Sequence, residues 1–166
     1  MIKFYATILI TVLSYTYGHS QKSDLSLFNN LVNKTWKLEG DWGNGTKLKQ
    51  EITFEYALNK SIVIVKTKGF INKTQTKFGN RNYGIRKYDS ITGKVKFWEY
   101  DIFGGLTEGK IYLDGKNIVQ QYKYGSSVLT DMWEYVNDST YNLIIGNYVN
   151  GTWKKIYLKT KIKSMK

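Results

Sequence analysis

Two acidic residues of this sequence fall inside a predicted strand, where a buried carboxylate could bind a ligand or act as a general base. Strict alternation along residues 94–101 puts Glu99 and Asp101 on the apolar face of that strand. One interpretation is a polar interior, in which a carboxylate pairs with an arginine, because a buried charge needs such a partner. The arginines of the chain are Arg81 and Arg86.

A second interpretation is a β-bulge near Phe97 and Trp98. An extra residue at that point re-aims the strand, so that Trp98, Tyr100 and Ile102 face inward. We favour the bulge, which makes Trp98 and Tyr100 candidate ligand contacts.

Asp131 is the third acid of interest, because it lies between Leu129 and Trp133 on one face of its strand. An internal ion pair, a ligand contact and a general base are all compatible with that position. No residue is assigned as catalytic. The candidate ligand-binding residues are Arg86, Trp98, Tyr100, Tyr122, Asp131 and Trp133.

The first residues have the three parts of a secretory signal peptide. A basic start at Lys3 precedes an apolar run over 4–13, and small residues stand at Gly18 and Ser20 before a cut at Gln21. We therefore predict a signal peptide over 1–20 and an exported protein, periplasmic or extracellular. The mature chain carries no second apolar run long enough to be a transmembrane segment.

The predicted mature chain contains no histidine and no cysteine, since His19 lies within the signal peptide and cysteine is absent. It lacks the commonest general base, the commonest metal ligand and the most reactive nucleophile. From this we predict that the protein is not an enzyme and that it uses no cofactor and no metal.

Turn signals recur roughly every ten residues between β-rich segments. About eleven candidate strands result, although 73–78 and 83–88 could form one long bent strand. Short turns without long crossovers favour an up-and-down antiparallel β-barrel of about ten strands. One short N-terminal helix precedes it, with Leu25, Phe28, Leu31 and Val32 on one side. Residues 21–166 are predicted to form this single all-β domain.

The net charge of +12 has two interpretations. Lysines can simply keep the surface soluble, or they can attract a polyanion or lipid headgroups. Nucleic acid is not an expected partner, because the lysines are dispersed and the protein is predicted to be exported. The sequence predicts no oligomeric state.

The segment around Leu31-Val32 and Thr35-Trp36-Lys37-Leu38 resembles the start of lipocalins and fatty-acid-binding proteins, with Asn33-Lys34 where those families carry the glycine of Gly-x-Trp. The pattern Gly84-Ile85, Tyr88-Asp89, Thr92-Gly93-Lys94, Trp98, Asp101, Gly105 and Glu108-Gly109 resembles bacterial secreted lipocalin-like domains of unknown function, as do Trp133-Glu134 and Gly151-Thr152-Trp153. The resemblance implies a ligand-binding calyx. By analogy with fatty-acid-binding proteins, Arg86 with Tyr122 or Tyr124 could clamp an anionic ligand.

The five tryptophans, Trp36, Trp42, Trp98, Trp133 and Trp153, could line a cavity or fill the core. Trp36 is the strongest candidate for a structural role.

Three functions compete. The first, which we favour, is a secreted carrier of a small apolar or amphipathic ligand. The second is a filled barrel that acts through its surface or binds a polyanion. The third is a barrel enzyme that uses Glu99, Asp101 or Asp131 and therefore needs a raised carboxylate pKa inside a cavity.

Overall fold

The computed structural model describes residues 24–165 and shows a closed antiparallel β-barrel of ten strands. The predicted signal peptide lies outside the described residues. The strands are β1 (Thr35–Asp41), β2 (Lys47–Ala57), β3 (Ile62–Phe70), β4 (Phe78–Asp89), β5 (Lys94–Asp101), β6 (Leu106–Asp114), β7 (Asn117–Tyr124), β8 (Ser127–Asn137), β9 (Thr140–Val149) and β10 (Thr152–Met165). The predicted fold class is confirmed.

Each strand pairs with its neighbour in sequence, and β1 pairs with β10 to close the barrel. The predicted separate strand over 73–78 does not form. Instead, Asn72 holds a tight loop by accepting hydrogen bonds from the backbone N–H groups of Thr76 and Lys77. After this loop, β4 runs from Phe78 to Asp89, so the long-strand alternative is confirmed only for the part that starts at Phe78.

One end of the barrel is closed by a floor, which we define as Phe28, Leu31, Trp36, Phe54, Trp133 and Tyr141. The predicted helix is one turn of 3₁₀ helix, Ser26–Phe28. It lies across this end, where the Tyr56 hydroxyl donates to the Leu25 carbonyl at 3.0 Å. The aromatic rings of the floor meet edge to face or tilted, with ring centroids between 5.4 and 6.0 Å apart. The opposite end carries the turns between β1 and β2 and between β7 and β8.

Asn33 lets the chain pass from the floor into β1. Its φ of 59° lies in the left-handed region, which asparagine tolerates better than most residues other than glycine. The pattern of lipocalins carries its glycine near this point, so the departure noted in the sequence still permits the sharp entry into the strand.

Trp36 ties the floor to the barrel wall. It is fully buried, and its indole Nε1 donates to the Leu31 carbonyl at 3.0 Å. Trp36→Phe is expected to lower the free energy of unfolding by about 2 kcal/mol, because it leaves that buried carbonyl without its donor. The measurement is urea unfolding of both proteins.

Trp98→Phe is the matched control, because Trp98 lies on the outer face of β5 and is only partly buried. We expect a loss below about 1 kcal/mol for this variant. Equal losses for the two variants would show that the bond from Trp36 to Leu31 does not stabilise the floor.

Candidate ligand-binding cavity

The barrel is hollow. A cavity of about 810 Å³ extends from the floor to the turns at the opposite end. This volume lies within the range of about 300–1,000 Å³ that small-molecule sites commonly have. Apolar side chains form much of the wall: Leu48, Ile52, Phe54, Val65, Ile111, Ile118, Leu129, Trp133, Leu143, Ile145 and Ile162. The filled barrel of the second hypothesis is not what the structure contains.

A buried ion pair crosses two strands of the wall. Arg86 of β4 is 3% exposed, and its Nη2 lies 2.5 Å from Glu99 Oε2 of β5. The other carboxylate oxygen of Glu99 accepts from Asn82 Nδ2 at 2.7 Å, and the guanidinium lies 4.9 Å from the ring centre of Phe97. Burial lowers the pKa of Arg86, while the charge of Glu99 opposes that shift. The two charges neutralise each other inside the barrel.

Gly84 provides the space for this pair. A Cβ atom at that position would lie 2.4 Å from Arg86 Nη1 and 3.2 Å from the Trp98 carbonyl oxygen. Since Gly84 is the register partner of Glu99, the glycine lies directly beside both charges. A side chain there would force the guanidinium away from its carboxylate.

Asp131 and Tyr122 form a second polar pair in the cavity wall, on β8 and β7, with β6 between them and the strands of the first pair. The Tyr122 hydroxyl of β7 donates to Asp131 Oδ1 of β8 at 3.0 Å. Asp131 faces the cavity with part of its surface, while the barrel wall encloses the rest. Burial raises the pKa of Asp131 to about 7, with Glu99 adding to the rise and the bond from Tyr122 opposing it. Burial, first, and the neighbouring carboxylate raise the pKa of Tyr122 as well.

The structure brings four of the six predicted contact residues to the cavity wall, namely Arg86, Tyr122, Asp131 and Trp133. Trp98 and Tyr100 instead lie on the outer face of β5, and Tyr100 is 53% exposed. The prediction of a bulge is wrong, because β5 pairs with β4 in unbroken register from Lys94 to Asp101. Glu99 therefore stays on the inner face, as strict alternation requires.

A clamp of Arg86 with Tyr122 is not formed, because Arg86 pairs with Glu99 and Tyr122 pairs with Asp131. The alternative partner, Tyr124, also lines the cavity, so a clamp of Arg86 with Tyr124 stays a prediction. Asp101 does not line the cavity; it ends β5 and holds the turn that follows. Its Oδ1 accepts from the backbone N–H groups of Phe103 and Gly105.

Among the tryptophans, Trp42 and Trp133 line the cavity, and Trp36 lies in the floor. Trp153 packs against Tyr148 with tilted rings, at a centroid distance of 4.8 Å. The prediction of a structural role for Trp36 agrees with its position in the floor.

The prediction missed several polar wall residues: Gln50, Thr67, Asn82 and Gln120. A signal for one of them was present, because Gln50 lies between Leu48 and Ile52 on the inward face of β2. Asn82 Oδ1 is buried and has no hydrogen-bond partner within the described part of the chain. A ligand with a hydrogen-bond donor would satisfy such an atom.

Residues 24–165 contain no cluster of three or more His, Cys, Asp or Glu side chains that could hold a metal ion. Over the same residues, no helix has the length and apolar character needed to cross a membrane.

Comparison with known proteins gives one solved structure to report. The chain is similar to the S-type phycobiliprotein lyase CPES from Guillardia theta, with 11% sequence identity and a TM-score of 0.49 over 86% of this chain and 90% of that chain. No protein-family profile matches, and no curated protein matches. Membership in the lipocalin-like family thus remains a prediction from the resemblance, while the barrel itself is observed.

The prediction that the protein is not an enzyme is contradicted by this match and is corrected here. The matched protein is titled a lyase, and lyases are enzymes. The absence of histidine and cysteine from the predicted mature chain does not by itself exclude catalysis, because carboxylate and tyrosine side chains can also act as general acids and bases. Carboxylate and tyrosine side chains remain in the cavity of this chain, and the carboxyl of Asp131 has the raised pKa that the barrel-enzyme hypothesis required.

Proposed function

We propose that this protein binds a small amphipathic molecule inside the barrel, as an exported member of the lipocalin-like group that its sequence resembles. The observation that carries the proposal is the cavity, with an aromatic floor at one end and polar groups along its wall. A ligand with an apolar body and a polar end matches this division, because each part then meets groups of its own kind. Export rests on the signal-peptide pattern of residues 1–20.

The depth of the polar groups supports one orientation of the ligand. The apolar body would lie toward Phe54 and Trp133, which touch in the floor at a centroid distance of 5.7 Å. The polar end would then lie toward the pairs of Arg86 with Glu99 and Tyr122 with Asp131. Entry would take place at the end with Trp42 and Tyr124, whose side chains border the cavity near the turns.

Titration with the uncharged fluorescent probe N-phenylnaphthylamine is expected to show saturable binding with one site and quenching of tryptophan fluorescence. Trp133→Phe should lose a large part of this quenching, because Trp133 lines the cavity. Trp98→Phe should keep its quenching response, since Trp98 lies on the outer face.

A matched pair on β8 tests whether the probe enters the barrel. Leu129→Trp places bulk inside the cavity and should weaken binding at least about tenfold, since an overfilled site excludes the ligand. Val128→Trp places the same bulk on the exposed outer face and should leave binding unchanged. Absence of saturable binding, or equal effects of the two variants, would overturn the proposal. Mass spectrometry of a ligand before and after incubation with the protein separates a carrier from a catalyst. Only a catalyst changes the mass or fragmentation of the ligand.

A further inference from the structure

Over residues 24–165, the cavity wall carries two positive and two negative side chains, and only one carboxylate of the two has an ion-pair partner. Among the described residues, the charged side chains of the wall are Arg81, Arg86, Glu99 and Asp131. Arg86 and Glu99 form an ion pair. Arg81 lies near the mouth, where its Nη1 donates to the Phe70 carbonyl and its guanidinium lies 5.1 Å from the ring centre of Phe103. In the described part of the chain, none of the ion pairs includes Asp131.

Among the residues that the structure describes, the hydrogen bonds beside these charges leave some acceptor atoms without a donor. Three donors near the charges are used within the wall: Tyr122 donates to Asp131, and Asn82 and Arg86 both donate to Glu99. Acceptors remain. Within the described residues, Asn82 Oδ1 has no partner, and the bond from Tyr122 occupies only Oδ1 of Asp131. The wall near these groups therefore offers acceptors to a ligand, and Gln120, the register partner of Asp131, brings a side-chain amide beside them.

We propose that the polar end of the ligand is a protonated amine, which the carboxylate of Asp131 binds while the apolar body lies against the floor. This inference rests on the proposed function, because it names the chemical class of the molecule in the barrel. An ammonium group supplies both a compensating charge and N–H donors, which form the stronger, charge-assisted kind of hydrogen bond. A carboxylate ligand would instead find Arg86 already neutralised, Asp131 repelling it, and only Arg81, near the mouth, as a wall cation without an ion-pair partner in the described part of the chain.

Such binding depends on pH, because Asp131 must be ionised. The groups that face Asp131 are Tyr122 from β7 and Glu99 of β5 with its partner Arg86 of β4. Strand β9 presents the apolar Ile145 as the register partner of Asp131. Burial raises the pKa of Asp131 to about 7. Amine binding should therefore strengthen as the pH rises through that value.

The experiment compares dodecylamine, dodecanol and dodecanoate, which share one chain and differ in the polar end, by displacement of N-phenylnaphthylamine below their micelle concentrations. An alkylammonium has a pKa near that of lysine, about 10.4, so it stays charged between about pH 5.5 and about pH 8.5. We expect dodecylamine to bind at about pH 8.5 at least about tenfold more tightly than dodecanol, and to lose most of this advantage at about pH 5.5.

The variant Asp131→Asn keeps the size of the side chain and should abolish the advantage of the amine at both pH values. Glu108→Gln removes an outward, exposed carboxylate and is the matched control. Tyr122→Phe keeps the carboxylate and should retain the preference for the amine, which provides a second test should Asp131→Asn fold poorly. If the three ligands bind equally, or dodecanoate binds best, the amine inference is overturned while the carrier function stands. If none displaces the probe, and the probe itself does not bind, both fail.

Discussion

Replacing Arg86 with methionine is expected to lower the free energy of unfolding by about 3–5 kcal/mol. The change removes the guanidinium and leaves the carboxylate of Glu99 inside the barrel with only the bond from Asn82 Nδ2. An uncompensated charge in such a site loses the hydration that it had in the unfolded chain, and the protein around it cannot replace that hydration. Urea unfolding at neutral pH measures the loss.

The double variant Arg86→Met with Glu99→Gln is expected to recover most of that stability. Its glutamine carries no charge and can still accept from Asn82. Lys37→Met is the matched control, because Lys37 forms an ion pair with Glu51 at 2.7 Å on the outer surface, where the side chains are 45% and 28% exposed. Pairs of that kind contribute about 0–1 kcal/mol. If Arg86→Met lowers the free energy of unfolding by as little as Lys37→Met does, burial does not make Arg86 more important for stability than a surface ion-pair residue.

Asp131→Asn is expected to stabilise the protein, and the gain should grow with pH. In the folded state burial raises the pKa of Asp131 to about 7, whereas an aspartate in the unfolded chain has a pKa of about 3.9. Between these values the folded state binds more protons than the unfolded state, so the stability of the wild type falls as the pH rises. A shift of about three pKa units sets an upper bound of about 4 kcal/mol on the gain above pH 7.

The measurement is urea unfolding at a series of pH values, with Glu108→Gln as the control for removing one negative charge from the same barrel. Asparagine at position 131 still accepts from Tyr122, so the main change is the loss of charge. Parallel curves of stability against pH for wild type and Asp131→Asn would show that the carboxyl of Asp131 is not desolvated in the folded protein.

The barrel could be predicted from the sequence, because each turn is local and carries its own signal. Asp89 illustrates this: its side chain accepts from the Ile91 backbone N–H and the Thr92 hydroxyl, and Gly93 takes a positive φ of 64°. A turn built in this way ends one strand and starts the next without help from the rest of the chain.

The contacts between side chains of neighbouring strands were harder to predict, although the strand register determines which residues lie side by side. The turn after Asp89 sets Asp89 opposite Lys94, which in turn sets Arg86 opposite Phe97 and Gly84 opposite Glu99. Following that register would have placed the arginine diagonally beside the carboxylate. A bulge that turns Trp98 and Tyr100 inward is not needed, because a protein surface normally contains many apolar atoms.

The shape of the cavity and the raised pKa of Asp131 could not be predicted from the sequence. Both depend on how far side chains of strands distant in sequence reach across the interior. Asp131 lies on β8, and Glu99, which adds to the rise of its pKa, lies on β5. No local pattern of residues indicates how close the carboxyl groups of Asp131 and Glu99 lie in the folded barrel.

The pairing of β1 with β10 has a consequence for the order of folding. This seam has four residue pairs, Thr35 with Met165 through Leu38 with Ile162, whereas β9 and β10 share ten. Every other pairing joins strands that are neighbours in sequence, but the seam must wait for β10. Until then β1 is an open edge that can recruit a strand of another chain. The last hairpin thus decides whether a folding molecule closes its barrel or joins an aggregate.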